Sequence, residues 1–398
     1  MSRALFFERY YRQIDRMRRR DSAVRLFTST TEDSNVTSPL ETRLLQKIES
    51  SADPEARAVS LAELGSYWAR TGEFERSEGA RQELRREFGD GHSLHVSILI
   101  MLLEAHLLYF RELSPNARDR LARASLLSKA ANARDLVALT SSWMAHLEFN
   151  QARHDAMVDQ ITLAIDSLAP ENVAAECRIA LVLGDCFLYV GNRQVSQSWY
   201  ERARRAANIL GDHAAIGALT YNRAALRVAR TRVESILGGN AEPDVVQLRL
   251  DVESAINYQR VARLISLEHL LSTAKIGVLL LASDFESALN SISELLSSAQ
   301  VPPDSAQELM LRADKALALG QLGYIDGSRE ILSSYPESRL AIISPDDRAV
   351  ALDALRAGWD ACGDRSRAAE LHEHALCAAT EHQSNTVRLK AKLERFAI

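Results

Sequence analysis

The small and apolar residues of this chain recur in a fixed order at a fixed distance. Leu64-Gly65, Trp68, Gly72, Phe74 and Ser77 match Leu183-Gly184, Phe187, Gly191, Arg193 and Ser196 at identical offsets, and Leu355, Trp359, Gly363, Arg365 and Ala368 repeat the pattern near the C-terminus. Each copy reads as one helix with a small or apolar packing position, a tight turn, and a second helix that opens on a small residue. Glycine in the turn supplies the left-handed backbone that ends a helix without a Cβ clash. With the frame fixed, the packing position of Gly65 recurs at Ala105, Met144, Gly184, Ala224, Ile276, Ala316 and Arg356, at spacings of 40, 39, 40, 40, 52, 40 and 40. The one long interval contains residues 236–244, I-L-G-G-N-A-E-P-D, a turn-rich insertion in the fifth hairpin that is expected to project from one edge as a partner contact or a mobile excursion.

A single hairpin cannot hide its own apolar stripe, so about eight such hairpins must stack. The fold predicted is all-α: an α-solenoid of antiparallel helix hairpins whose first helices line a concave groove. Composition agrees, since 17 Gly and 9 Pro in 398 residues are far fewer turn formers than a loop-rich chain carries.

The order of small residue, aromatic, Gly turn and second small residue resembles the tetratricopeptide repeat (TPR) family. The matching positions are Leu64, Gly65, Trp68, Gly72, Phe74 and Leu84 in the first copy, and Leu183, Gly184, Phe187, Gly191, Tyr200 and Ala203 in the fourth. The period near 40 and the missing repeat-closing proline depart from the family's usual pattern. Longer repeats of this kind are similar to the sensor regions of bacterial regulators and to the Rap-like peptide receptors. The resemblance implies a right-handed superhelix and a non-catalytic role in binding a protein or peptide segment.

Outside the repeats, residues 1–37 form a separate unit. Eight arginines, among them Arg9, Arg12, Arg16, Arg18, Arg19 and Arg20, stand against Glu8, Asp15 and Asp21 in residues 1–27, with Leu5, Phe6, Tyr10, Ile14 and Met17 at helical spacing. This predicts a basic amphipathic helix and a Ser/Thr-rich linker. Such an arm can dock on the first hairpin or fold back on an acidic groove. It can also meet an acidic partner, anionic lipid or nucleic acid, or serve as a transit peptide. The repeat domain then covers residues 38–398, with Ser38 as N-cap and Pro39 in the first turn of its first helix. Lys390, Lys392 and Arg395 with Leu389, Leu393 and Phe396 predict a terminal capping helix.

Charge and chemistry narrow the function. A formal net charge of −5 gives no global drive toward nucleic acid, which leaves the arm as its one route. Cys177, Cys186, Cys362 and Cys377 lack the spacing of a disulfide framework or a C-x-x-C pair, which points to a reducing, cytoplasmic setting. No apolar run is long enough to be read as a membrane span, because His95, Glu104 and His106 interrupt the best one. Phosphate-loop and nucleophile-elbow motifs are absent, and no cofactor is implied. His374, Cys377 and Glu381 share one helical face, so a metal-dependent enzyme is a minor alternative.

The groove residues chosen by register are Ser66, Ala69, Arg70, His106, Tyr109, Glu148, Asp185, Tyr189, Tyr221 and Asn222. Such side chains suit hydrogen bonding and stacking on a peptide. The leading expectation is an adaptor or regulatory subunit that binds a protein or peptide partner. The alternative is a ligand- or peptide-sensing regulator acting through the N-terminal arm.

Overall fold

The computed structural model describes residues 38–89, 93–238, 244–298, 300–303 and 305–397. The arm residues Arg9, Arg12, Arg16, Arg18, Arg19 and Arg20, and the middle of the 236–244 insertion, lie outside the described residues.

Among these residues the chain is an all-α solenoid of seventeen α-helices. A leading helix α1 (Pro39–Ser50) precedes eight hairpins: α2–α3 (Pro54–Thr71, Phe74–Phe88), α4–α5 (Leu94–Glu112, Asn116–Ala130), α6–α7 (Arg134–Asn150, His154–Asp166), α8–α9 (Val173–Tyr189, Arg193–Leu210), α10–α11 (His213–Ile236, Val245–Val261), α12–α13 (Glu268–Leu281, Phe285–Ser297), α14–α15 (Ala306–Gln321, Ile325–Ser333) and α16–α17 (Pro345–Ala361, Arg365–Leu393). Every packing position from Gly65 to Arg356 falls on a first helix. Side-chain caps start most of the helices. Ser38 Oγ accepts from Glu41 N at 3.1 Å with Pro39 in the first turn, and Asp53, Ser93, Asn172, Asn192, Asp212, Asp284, Ser305 and Asp364 act likewise.

The repeat has a hydrogen bond of its own. The small residue that opens the second helix donates to the carbonyl of the packing residue: Ser77 Oγ to Gly65 at 2.7 Å, Ser196 Oγ to Gly184 at 2.8 Å and Ser328 Oγ to Ala316 at 2.8 Å. The helices approach closely there, and a Cβ on Gly184 would sit 2.6 Å from the Tyr200 ring. The turn backbone is also shared. A left-handed residue closes the first helix at Gly72, Gly191, Gly323 and Gly363, and equally at Leu113, Ala152 and Ser283 where glycine is missing. Part of the insertion in the fifth hairpin is helix, since α10 runs 24 residues where α8 runs 17.

The long helix α10 becomes the axle of the molecule. It packs on its neighbours α8, α9, α11 and α12 and, across the winding, on α2, α16 and α17. Three sets of contacts close the solenoid around it. At the first, Arg70 pairs with Asp212 at 2.7 Å, Ile265 N donates to Thr71 O at 2.9 Å, and Leu40 N donates to Gly211 O at 3.3 Å. Both glycines at this seam are left-handed and tightly approached, with Gly72 against Ile265 and Gly211 against Pro39. The second tie is the buried pair Arg232–Asp314 between α10 and α14. The third is made by the end of α17, which buries Leu389 and Leu393 among residues of α7–α9, pairs Lys392 with Asp155, and places the Phe396 carbonyl 3.1 Å from Trp199 Nε1.

The C-terminal segment therefore differs from the expected capping helix. It is a continuation of the last hairpin's second helix that doubles back onto the middle of the chain, because its apolar stripe finds a mate there. The helix α4 has the length and composition to cross a bilayer, and here it is a core helix with Ile98, Leu99, Leu102, Leu103 and Ala105 buried.

Candidate ligand chamber

Winding the first helices around α10 turns the predicted groove into a chamber of about 540 Å³. Its wall takes Arg70 from α2, Tyr109 and Phe110 from α4, His146, Phe149 and Asn150 from α6, and Arg178 and Asp185 from α8. Gly217, Ala218, Tyr221 and Asn222 come from α10, Gln259 from α11, Leu264, Ser266 and Leu267 from the connection to α12, and Asp347 from α16. Ser266 bonds across the first closing seam to Arg70 and Thr71, and Leu264 packs in the core of the first hairpins, so one wall of the chamber is itself a contact that shuts the winding.

Five of the register-chosen residues meet here: Arg70, Tyr109, Asp185, Tyr221 and Asn222. Three other register-chosen residues, His106, Glu148 and Tyr189, lie elsewhere. His106 is buried behind the wall, 4.2 Å from the Trp143 ring, and neither of its ring nitrogens has a partner among the described residues. Glu148 is buried between Arg118 and Arg153, which makes it a clamp between α5, α6 and the following turn. Tyr189 stacks among Phe149, His154 and His382, where α17 crosses α8. Of the remaining two, Ala69 is fully buried in packing and Ser66 is buried.

Electrostatics sort the wall. Asp185 accepts from Tyr200 Oη at 2.8 Å and from Asn222 Nδ2 at 2.7 Å, yet burial outweighs these bonds and pushes its carboxyl up to about 7. Burial, with Asp346 beside it, also raises Asp347 to about 7. Tyr109 is pushed up to about 12 by burial and accepts from Asn150 Nδ2 at 2.6 Å. Burial lowers His146 to about 3, so it is neutral at pH 7. Arg70 is held by Asp212, whose other carboxylate oxygen caps α10 through Ala215 N at 2.9 Å.

Arg178 stands apart from these matched groups. It is 6% exposed, and its Cζ lies 3.5 Å from the centroid of the Trp143 ring. Among the described residues it has neither an ion pair nor a hydrogen bond. Burial and then the nearby Arg70 charge push its pKa down to about 10, so it stays cationic at pH 7. Register did not select Arg178. The available signal was a lone arginine immediately before the apolar run I-A-L-V-L on α8.

The metal alternative finds no support in this geometry. Among the described residues no three His, Cys, Asp or Glu side chains gather as a metal site. Cys377 is exposed, and Glu381 pairs with Arg348. His374 is exposed too, whereas Ala375 beside it is buried. Cys177 and Cys186 are buried free thiols whose pKa values burial raises. Compared with protein-family models and with curated proteins, the sequence matches none.

Proposed function

We propose that this chain is a non-catalytic, TPR-like sensor that takes a small molecule or short peptide into the chamber around α10 and reports its presence through closure of the winding. The size supports this reading, because about 540 Å³ lies within the range of small-ligand sites and is too small for a folded partner. The observation that carries it is the double duty of Arg70, Leu264 and Ser266, which line the chamber and also belong to the seam joining the first hairpin to the fifth and sixth. A ligand touching that wall favours whichever state of the seam it fits better, and that difference in affinity is what a sensor needs. Small changes at stacked hairpins accumulate along a solenoid, so the seam is a suitable place to bias its shape.

The adaptor reading survives in a narrower form. A protein partner would meet the outer face or the N-terminal arm, in response to what the chamber holds. The test is thermal stabilisation of the full chain by the small-molecule fraction of its own cells, set beside Ala218→Trp, which fills the chamber from α10. Stabilisation of the wild type and not of the variant supports the sensor. No stabilisation of the wild type refutes it.

A further inference from the structure

The sensor reading leaves the chemical class of the ligand open, and Arg178 narrows it. A guanidinium at 6% exposure with no hydrogen-bonding partner among the described residues is costly to keep, since buried charges are normally paired. Its Cζ lies 3.5 Å over the centroid of the Trp143 ring, and the residue lines the chamber. Stacking of this kind leaves the donor fork of an arginine free for a planar oxyanion.

Charge decides which oxyanion. Arg70 is neutralised by Asp212, and the two acids on the wall, Asp185 and Asp347, titrate near 7. Arg178 is thus the wall cation without an ion pair among the described residues, and Asp185 and Asp347 on the same wall disfavour a second negative charge. The same wall carries four aromatic side chains, Tyr109, Phe110, Phe149 and Tyr221, with leucines such as Leu147, Leu226 and Leu270 between polar groups.

Resting on the sensor reading, we propose that the ligand is a monocarboxylate with an apolar or aromatic body, its carboxylate seated bidentately on the edge of Arg178. The same chemistry has two sources, a free organic acid or the C-terminal carboxylate of a short apolar peptide. Two probe sets separate them. One contains aryl- and acyl-carboxylic acids with their matching primary amides. The other is a tripeptide library without Asp or Glu, made as free acid and as C-terminal amide.

Binding to the full chain is read by calorimetry, with Trp143 fluorescence as a second signal. The expected result is saturable one-to-one binding of an acid, with its amide at least tenfold weaker, and the responding set names the source. Arg178→Met should abolish the preference for acid over amide while leaving the fold at least as stable as the wild type. Arg178→Lys, which keeps the charge and loses the fork, should retain part of it. Equal binding of acids and amides, or an acid preference that persists in Arg178→Met, would overturn the carboxylate anchor while the chamber reading stands, provided Ala218→Trp still blocks binding. If neither set binds the wild type, the carboxylate anchor falls, and the sensor reading is then decided by thermal stabilisation with the small-molecule fraction.

Discussion

Replacing Arg178 by methionine should make the unliganded protein more stable, an unusual outcome for a nearly fully buried residue. Depression of its pKa from 12.5 to about 10 corresponds to roughly 3 kcal/mol that folding loses by holding the cation in place. Stacking on Trp143 at 3.5 Å returns up to ~2 kcal/mol. Methionine keeps an unbranched apolar stem against the ring and introduces no charge, so most of the packing survives. The difference leaves Arg178→Met ahead by about 1 kcal/mol. A solenoid of this length need not unfold in one step, so the global urea midpoint by circular dichroism should be paired with amide hydrogen exchange along α6 and α8. The expected signs are an upward midpoint shift of roughly 0.3 M and slower exchange in those two helices. A drop of more than about 1 kcal/mol in either measure would refute the reasoning, because it would mean that the stacked guanidinium stabilises the fold.

Asp212→Ala removes both the partner of Arg70 and the cap of α10, and should cost about 3–5 kcal/mol; small-angle scattering should show a larger radius of gyration, and an unchanged radius would show that the seam does not hold the winding closed. Ser283→Gly and Ala152→Gly relieve left-handed backbones at φ 57° and 54°, and each should stabilise by about 1 kcal/mol in thermal unfolding. Leu393→Asp, at 0% exposure at the end of α17, should detach the C-terminal end and red-shift the emission of Trp199, which loses its bond to the Phe396 carbonyl. Asp185 binds its proton more tightly folded, near 7, than unfolded, near 3.9, so its contribution to stability declines as pH rises from about 4 to about 7; the stability of Asp185→Asn relative to wild type should therefore grow over that window, and a pH-independent difference would contradict the raised pKa.

Local order was largely legible in the sequence. The frame set by Gly65, Gly184 and Arg356 places all eight first helices, and the serine twelve residues beyond the packing position, at 77 and 196, marks a real hydrogen bond. Three copies lack glycine at the turn, yet Leu113, Ala152 and Ser283 adopt the same left-handed backbone, because stacking imposes a geometry that local preference alone would not select. Register identified the chamber's Arg70, Tyr109, Asp185, Tyr221 and Asn222, since a stacked repeat turns the same face inward each time.

Closure of the winding was not legible. It depends on contacts such as Arg70 with Asp212, Arg43 with Leu210 and Lys392 with Asp155, between residues far apart in the chain, and a forty-residue period carries no record of them. Glu148 illustrates the consequence. Its register is that of a groove residue, but two arginines brought in by α5 and the turn after α6 enclose it. Arg178 was hidden for the opposite reason. Its meaning lies in the partner it lacks, and that becomes visible only when every neighbour is in place.

The central claim is that the winding around α10 encloses a chamber built for a ligand anchored on Arg178. The most direct measurement is a crystal structure of the full chain purified without denaturation from its own cells. The account predicts the Arg70–Asp212 seam closed and density in the chamber for a compact molecule whose planar head meets the edge of Arg178. An open solenoid, or a closed one in which Arg178 is paired with a protein carboxylate and the chamber holds water alone, would contradict it.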